Sequence, residues 1–232
     1  MNPMAMGVGA LAVVAMVGCG NGGPANSPVA PATTVAAPVT TAPAVTTSSS
    51  RPAPEFALPA YGVEPTTRRA LAAGEITCPP PGGPTVTVRS PAPGSPTLTV
   101  GIPDGFTEVV PHEETVRLAG PAGVTAEVRL TPTTADAQDA FDQYSNERVA
   151  KFSINSVSVL PGDLCGYSGQ KLMGVLADRP GKGIRYADRI VHVWTNGGDF
   201  LAAVRVEAPS GTPEFDQASA ALLADFGITM PG

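Results

Sequence analysis

The stretch Ile190-Val191-His192-Val193-Trp194-Thr195-Asn196-Gly197-Gly198-Asp199-Phe200-Leu201-Ala202-Ala203-Val204-Arg205-Val206-Glu207 decides the fold class. Two apolar, β-branched runs flank a glycine-rich turn, and the spacing predicts a long antiparallel hairpin over 184–195 and 200–207. Outward from it, Thr85-Val86-Thr87-Val88 and Thr97-Leu98-Thr99-Val100 alternate with the period of half-buried strands. Pro103-Asp104-Gly105 reads as a turn. Val116-Arg117-Leu118 and 124–130 flank Gly120-Pro121-Ala122-Gly123, as in a looped hairpin. Further strands are expected at 156–160 and 165–176.

Two helices interrupt the strands. Thr133 with Asp136 three residues on resembles a capping box and predicts a helix to about Lys151. Ala137, Ala140, Phe141, Tyr144, Val149 and Phe152 lie on or near one of its faces. Thr212-Pro213 opens a second helix, with Phe215, Ala218, Leu222, Leu223 and Phe226 as the buried stripe and Ser219 at its edge. The expected fold is α+β: a mainly antiparallel β-sheet of about six strands flanked by two amphipathic helices.

The other end of the chain has a different texture. Residues 4–17 form an apolar and glycine stretch too short to span a bilayer as a helix. That length suits a secretory leader, although no Lys or Arg precedes it. Met16-Val17-Gly18-Cys19 resembles a bacterial lipobox, with Met16 where Leu is usual. The expectation is cleavage after a signal peptide of residues 1–18 and lipidation of Cys19, placing the protein on the extracytoplasmic face of the cell membrane. The alternative is an ordinary leader that carries Cys19 away with it. Residues 19–77 are expected to be a disordered tether and 78–232 one globular domain. Before residue 61 the tether is mostly Ala, Pro, Thr, Ser, Val and Gly, and frequent proline bars helix and central strand alike. Such a stretch serves as a spacer and equally as a carrier of O-glycans.

Charge and thiols bound the function. Arg51 and Glu55 are the only Lys, Arg, Asp or Glu residues before residue 61, so the net charge of −6 belongs to the rest of the chain. An acidic domain without a basic stripe excludes nucleic acid as an expected partner. Of three cysteines, setting Cys19 aside leaves Cys78 and Cys165, an even pair in an exported domain. A Cys78–Cys165 disulfide is expected, the alternative being two separate buried thiols. Two Cys without neighbouring His do not complete a tetrahedral shell, so no metal is expected, and no cofactor motif occurs.

Catalytic constellations are equally thin. Gly166-Tyr167-Ser168-Gly169-Gln170 departs from the nucleophile elbow at Gln170 and lies in a strand context. His112, in the loop Pro111-His112-Glu113-Glu114, and His192, mid-strand, are the only histidines available to a triad. Gly181-Lys182-Gly183 reads as a hairpin turn and not a phosphate loop. Asp136, Asp139 and Asp142 line a solvated helix edge. No catalytic residue is assigned, and the chain is expected not to be an enzyme.

Ser95-Pro96-Thr97-Leu98-Thr99-Val100-Gly101-Ile102-Pro103-Asp104-Gly105-Phe106, together with the closing hairpin and the short helix ending near Phe226, resembles the mycobacterial LpqN/LpqT family of lipoproteins. The likeness covers roughly residues 95–232. It implies a PsbP-like α/β/α sandwich and a role in the cell envelope through protein or lipid contacts. Three functional classes follow. The first is a non-enzymatic module that binds an envelope protein, and the second is a carrier of a lipid or small apolar ligand. The third is a hydrolase built on His192 or Ser168. A large void between sheet and helix would favour the carrier, and a packed interface would oppose it.

Overall fold

The computed structural model describes residues 60–112 and 114–232. Cys19, the expected leader over 1–18 and the tether over 19–59 lie outside the described residues. In chain order the elements are β1 (Ile76–Cys78), β2 (Thr85–Val88), β3 (Thr97–Gly101), β4 (Thr107–His112), β5 (Thr115–Ala119) and β6 (Thr125–Thr133). There follow α1 (Ala137–Val149), β7 (Ile154–Asn155), β8 (Ser158–Pro161), β9 (Gly169–Ala177) and β10 (Gly183–Trp194). The last are β11 (Asp199–Pro209), α2 (Phe215–Leu222) and β12 (Gly227–Thr229).

These strands make two antiparallel sheets, where about six strands in one sheet were expected. The larger runs β4-β5-β6-β11-β10-β9-β7, with β8 also on β9; the smaller runs β1-β12-β3-β2. The α+β class stands. Strand period explains what was missed: β1 and β12 are three residues long, too short to show alternation, and β4 carries a proline. The long hairpin holds the centre, with β10 and β11 in register from Ile184 opposite Pro209 to Trp194 opposite Asp199.

Alternation on the central strands sorts side chains into two cores. Val128, Leu130, Val191, Val193, Val204 and Val206 face the smaller sheet and α2, where they meet Leu98, Ile228, Phe215 and Leu222. On the opposite face Leu172, Leu176, Tyr186 and Ile190 meet Phe141 of α1. One outer layer is therefore α1, and the other is α2 together with a four-stranded sheet, in place of the helices-only layers of an α/β/α sandwich.

Both helices begin later than their sequence signals suggested. The cap of α1 is Asp136, whose Oδ1 accepts from Asp139 N at 2.9 Å, whereas Thr133 ends β6. Asp136→Ala removes that acceptor and is expected to cost about 1 kcal/mol, seen as a lower urea midpoint with an unchanged slope. Thr212 forms a turn with Pro209 ahead of α2, and Leu223 and Phe226 are buried just beyond the helix end.

The domain also begins before residue 78. Gly62 accepts from Gly169 N at 2.8 Å and Gly74 N donates to Pro231 O at 3.0 Å. Asn196 exchanges two hydrogen bonds with the backbone of Leu71, whose side chain is buried. Gly62 has φ +70°, and a Cβ there would collide with the Gly169 carbonyl, so this approach needs glycine. Residues 61–75, expected as tether, are a strap against the domain, and 76–77, also expected as tether, open β1. The strap residues show no alternation because they are held largely through their own backbone groups, by Gly169, Ser168, Gln170 and Asn196 far away in sequence.

Candidate functional site

Cys78 and Cys165 are joined by a disulfide with Cα atoms 5.6 Å apart. Cys165 sits in the tight turn before β9 at φ 51°, so the expected strand over 165–176 starts at Gly169 instead. The bond ties β1 of the smaller sheet to the larger one. Tyr167 Oη reinforces it by donating to Thr77 Oγ1 at 3.1 Å.

Ser168 and His192 lie side by side, the backbone of His192 donating to Ser168 O at 2.9 Å. Both are buried, and no hydrogen bond joins their side chains. Ser168 Oγ accepts from Glu64 N at 2.9 Å and donates to Glu64 O at 3.3 Å, so it fastens the strap. His192 Nε2 is 3.0 Å from Ala135 O, with the Asp199 carboxylate 3.8 Å away and held by Arg68 at 2.6 Å. His112 ends β4 instead of lying in a loop, and Glu113 is outside the described residues. Asp136 caps α1, and Asp142 accepts from Gln138 Nε2 at 2.9 Å. Among the described residues no cluster of three His, Cys, Asp or Glu is placed to hold a metal ion, and no helix is long and apolar enough to cross a membrane.

The most unusual chemistry sits where no motif pointed. Asp188, mid-strand in β10, is completely buried under α1. Its Oδ2 accepts from Tyr144 Oη and Arg148 Nε, both at 2.9 Å, with Arg205 Nε at 3.8 Å. Oδ1 is buried and takes no hydrogen bond from the described residues. Arg148, itself buried, also pairs with Glu207 at 2.6 Å and lies over the Tyr186 ring at 4.6 Å. Burial pushes the Asp188 carboxyl above the ordinary carboxylate range, against the pull of Arg148 and Arg205. Burial and the nearby Asp188 charge raise the Tyr144 phenol too, and Tyr186 is pushed up to about 12. Both phenols therefore stay protonated, and Tyr144 serves as a donor. The available signal was a charged residue in the middle of a long central strand.

This network underlies an open cleft of about 750 Å³ between α1 and the β6–β11 part of the sheet. Tyr144 and Phe152 form its aromatic wall, with Leu201 and Ala203 also lining it. The adjoining α1–sheet interface is filled by Phe141, Leu172, Leu176 and Ile190.

A second feature lies on the opposite face of the sheet, at the β9 edge. The register pairs Ser158 with Met173, Leu160 with Lys171 and Ile154 with Ala177, which places Ile154, Leu160, Met173 and Val175 on one side. They are 44%, 47%, 39% and 39% exposed. The helix on this side, α2, sits against β11 and β3, and its Asp216 pairs with Arg185 of β10.

No family model matches the chain. No curated protein matches it. Among solved structures it is similar to LpqN of Mycobacterium tuberculosis, described as involved in cell envelope biogenesis. The two are 20% identical at a TM-score of 0.48, over 63% of this chain and 91% of the other.

Proposed function

We propose that this chain is an exported lipoprotein, anchored through Cys19 to the extracytoplasmic face of a cell membrane, whose folded part binds an envelope protein and catalyses no reaction. The observation that carries the binding role is the uncovered apolar patch of Ile154, Leu160, Met173 and Val175 at the β9 edge. Contiguous exposed apolar side chains mark protein contact surfaces, and methionine is enriched in them. The leader pattern before Cys19 and the Pro-rich stretch after it support the anchor. A disulfide suits an oxidising compartment. Against catalysis stands the commitment of Ser168 to Glu64 and of His192 to Ala135.

The test uses the full chain expressed in a host that processes lipoproteins. Mass spectrometry of the membrane fraction is expected to find an acylated amino-terminal Cys19, and Cys19→Ala to move the protein into the aqueous fraction. A photo-crosslinker at Ser158, opposite Met173 in register, is expected to capture an envelope protein. Met173→Glu should abolish that capture. Equal capture by the Glu variant would remove the patch as the interface.

A second reading is that the domain binds a small ligand at its surface. The packed α1–sheet interface opposes a carrier with an enclosed apolar cavity, whereas the open cleft beside α1 favours a surface site, with its volume in the range of small-molecule sites.

A further inference from the structure

The cleft beside α1 has a charge character opposite to that of the chain. Arg129, Arg148, Lys151 and Arg205 line it, against Glu127 and Glu147, whereas the protein as a whole carries −6. Both carboxylates have partners: Glu127 takes Arg117 Nε at 3.2 Å, and Glu147 takes Gln143 Nε2 at 2.9 Å. Arg148 is consumed by Asp188 and Glu207. Of the other three, Arg129 and Lys151 are not consumed, and Arg205 is consumed only in part, by Asp188 and Tyr144. Arg129 and Lys151 are exposed and make no ion pair or hydrogen bond with the described residues. Arg205 spends Nε and Nη2 on Tyr144 Oη, at 3.4 and 3.3 Å, and its Nη1 takes no acceptor among the described residues.

Their placement follows from the sheet. Glu127 lies opposite Arg205 and Arg129 opposite Ala203, so Arg129 and Arg205 rise diagonally from neighbouring strands on the same face. Lys151 reaches in just after the end of α1. Arg205 is also held in place, over the Tyr144 ring at 5.5 Å and near the buried Asp188. A cation already ordered by the fold loses less entropy when it takes a ligand. Beside these charges stands the apolar surface of Tyr144, Phe152 and Leu201.

We propose that this cleft binds a small amphiphile with one anionic head, a carboxylate or a phosphate monoester. The head lies between Arg129, Arg205 and Lys151, and the apolar body rests on Tyr144, Phe152 and Leu201. Guanidinium groups suit both heads through paired, charge-assisted hydrogen bonds. The inference rests on the second reading, that the cleft is a ligand site. It is independent of the anchor and of the apolar patch.

The test is calorimetric titration of the exported full chain carrying Cys19→Ala, so that no acyl chain of its own competes. Octanoate, octyl phosphate and 1-octanol are the probes. Octanoate or octyl phosphate is expected to bind at least about tenfold more tightly than 1-octanol, and the stronger of the two names the head group. Arg129→Gln with Lys151→Gln, both exposed and without partners among the described residues, should weaken the anion about tenfold and leave 1-octanol unchanged. Equal affinity for 1-octanol and both anions would overturn the anionic head while keeping the cleft as a ligand site. Binding of none of the three would overturn both.

Discussion

Asp188→Ala is expected to lower the unfolding free energy by about 3–5 kcal/mol. The substitution leaves Arg148, with a side chain 6% exposed, without the acceptor of its Nε. It also leaves Tyr144 Oη without its acceptor and opens a small void under α1. Glu207 still faces Arg148 at 2.6 Å, which places the loss at the lower end of that range. Urea unfolding of the two proteins at neutral pH measures it. A midpoint within error of wild type would mean that the network contributes nothing to stability.

The same group sets a pH dependence whose sign is fixed. Burial raises the Asp188 carboxyl in the native state, while the unfolded chain releases that proton near about 3.9. Between those two values the native state binds more protons than the unfolded state, so stability falls as pH rises through the window. Below it, with both states protonated, the contribution is fully present. Asp188→Asn keeps the side-chain shape and cannot titrate, so the difference between its urea midpoint and that of wild type should change across the window. A constant difference would assign the slope to other groups.

Replacing Cys78 and Cys165 by serine is expected to cost about 2–5 kcal/mol. The bond joins residues 87 apart in sequence, and loop-closure entropy for such a separation is about 4–5 kcal/mol before any offset from denatured-state structure. It also fastens β1 and the end of the strap, which otherwise hold to the domain through short strand pairings such as Ile76 with Thr229. Reductant should lower the wild-type midpoint to that of the double variant and leave the variant unaffected. An unchanged wild-type midpoint under reduction would show that the cross-link carries no stability.

How much of this was legible depended on the range of the signal. β2 matches its four alternating residues, and β10 and β11 match the two runs around Asn196-Gly197-Gly198, because strand period and turn chemistry are local properties. The thiol pair was legible from parity. The boundary at residue 78 was not, because Leu71, Gly62 and Glu64 are ordered by Asn196, Gly169 and Ser168, over a hundred positions away. Nor was the cleft, whose wall comes from α1 and whose floor comes from β6 and β11.

By itself, then, the sequence determined the α+β class, the central hairpin, the buried stripe of α2 and the candidate cysteine pair. It also carries the pattern before Cys19, from which the anchor is proposed. Only the tertiary structure decided that there are two sheets, that a strap precedes β1 and that an aspartate lies under α1 beside a cation-lined cleft. The physical reason is that burying a charge is tolerable only when its counter-charges arrive from elsewhere. Arg148 stands 40 residues before Asp188 and comes from a helix whose partner strand no local pattern specifies.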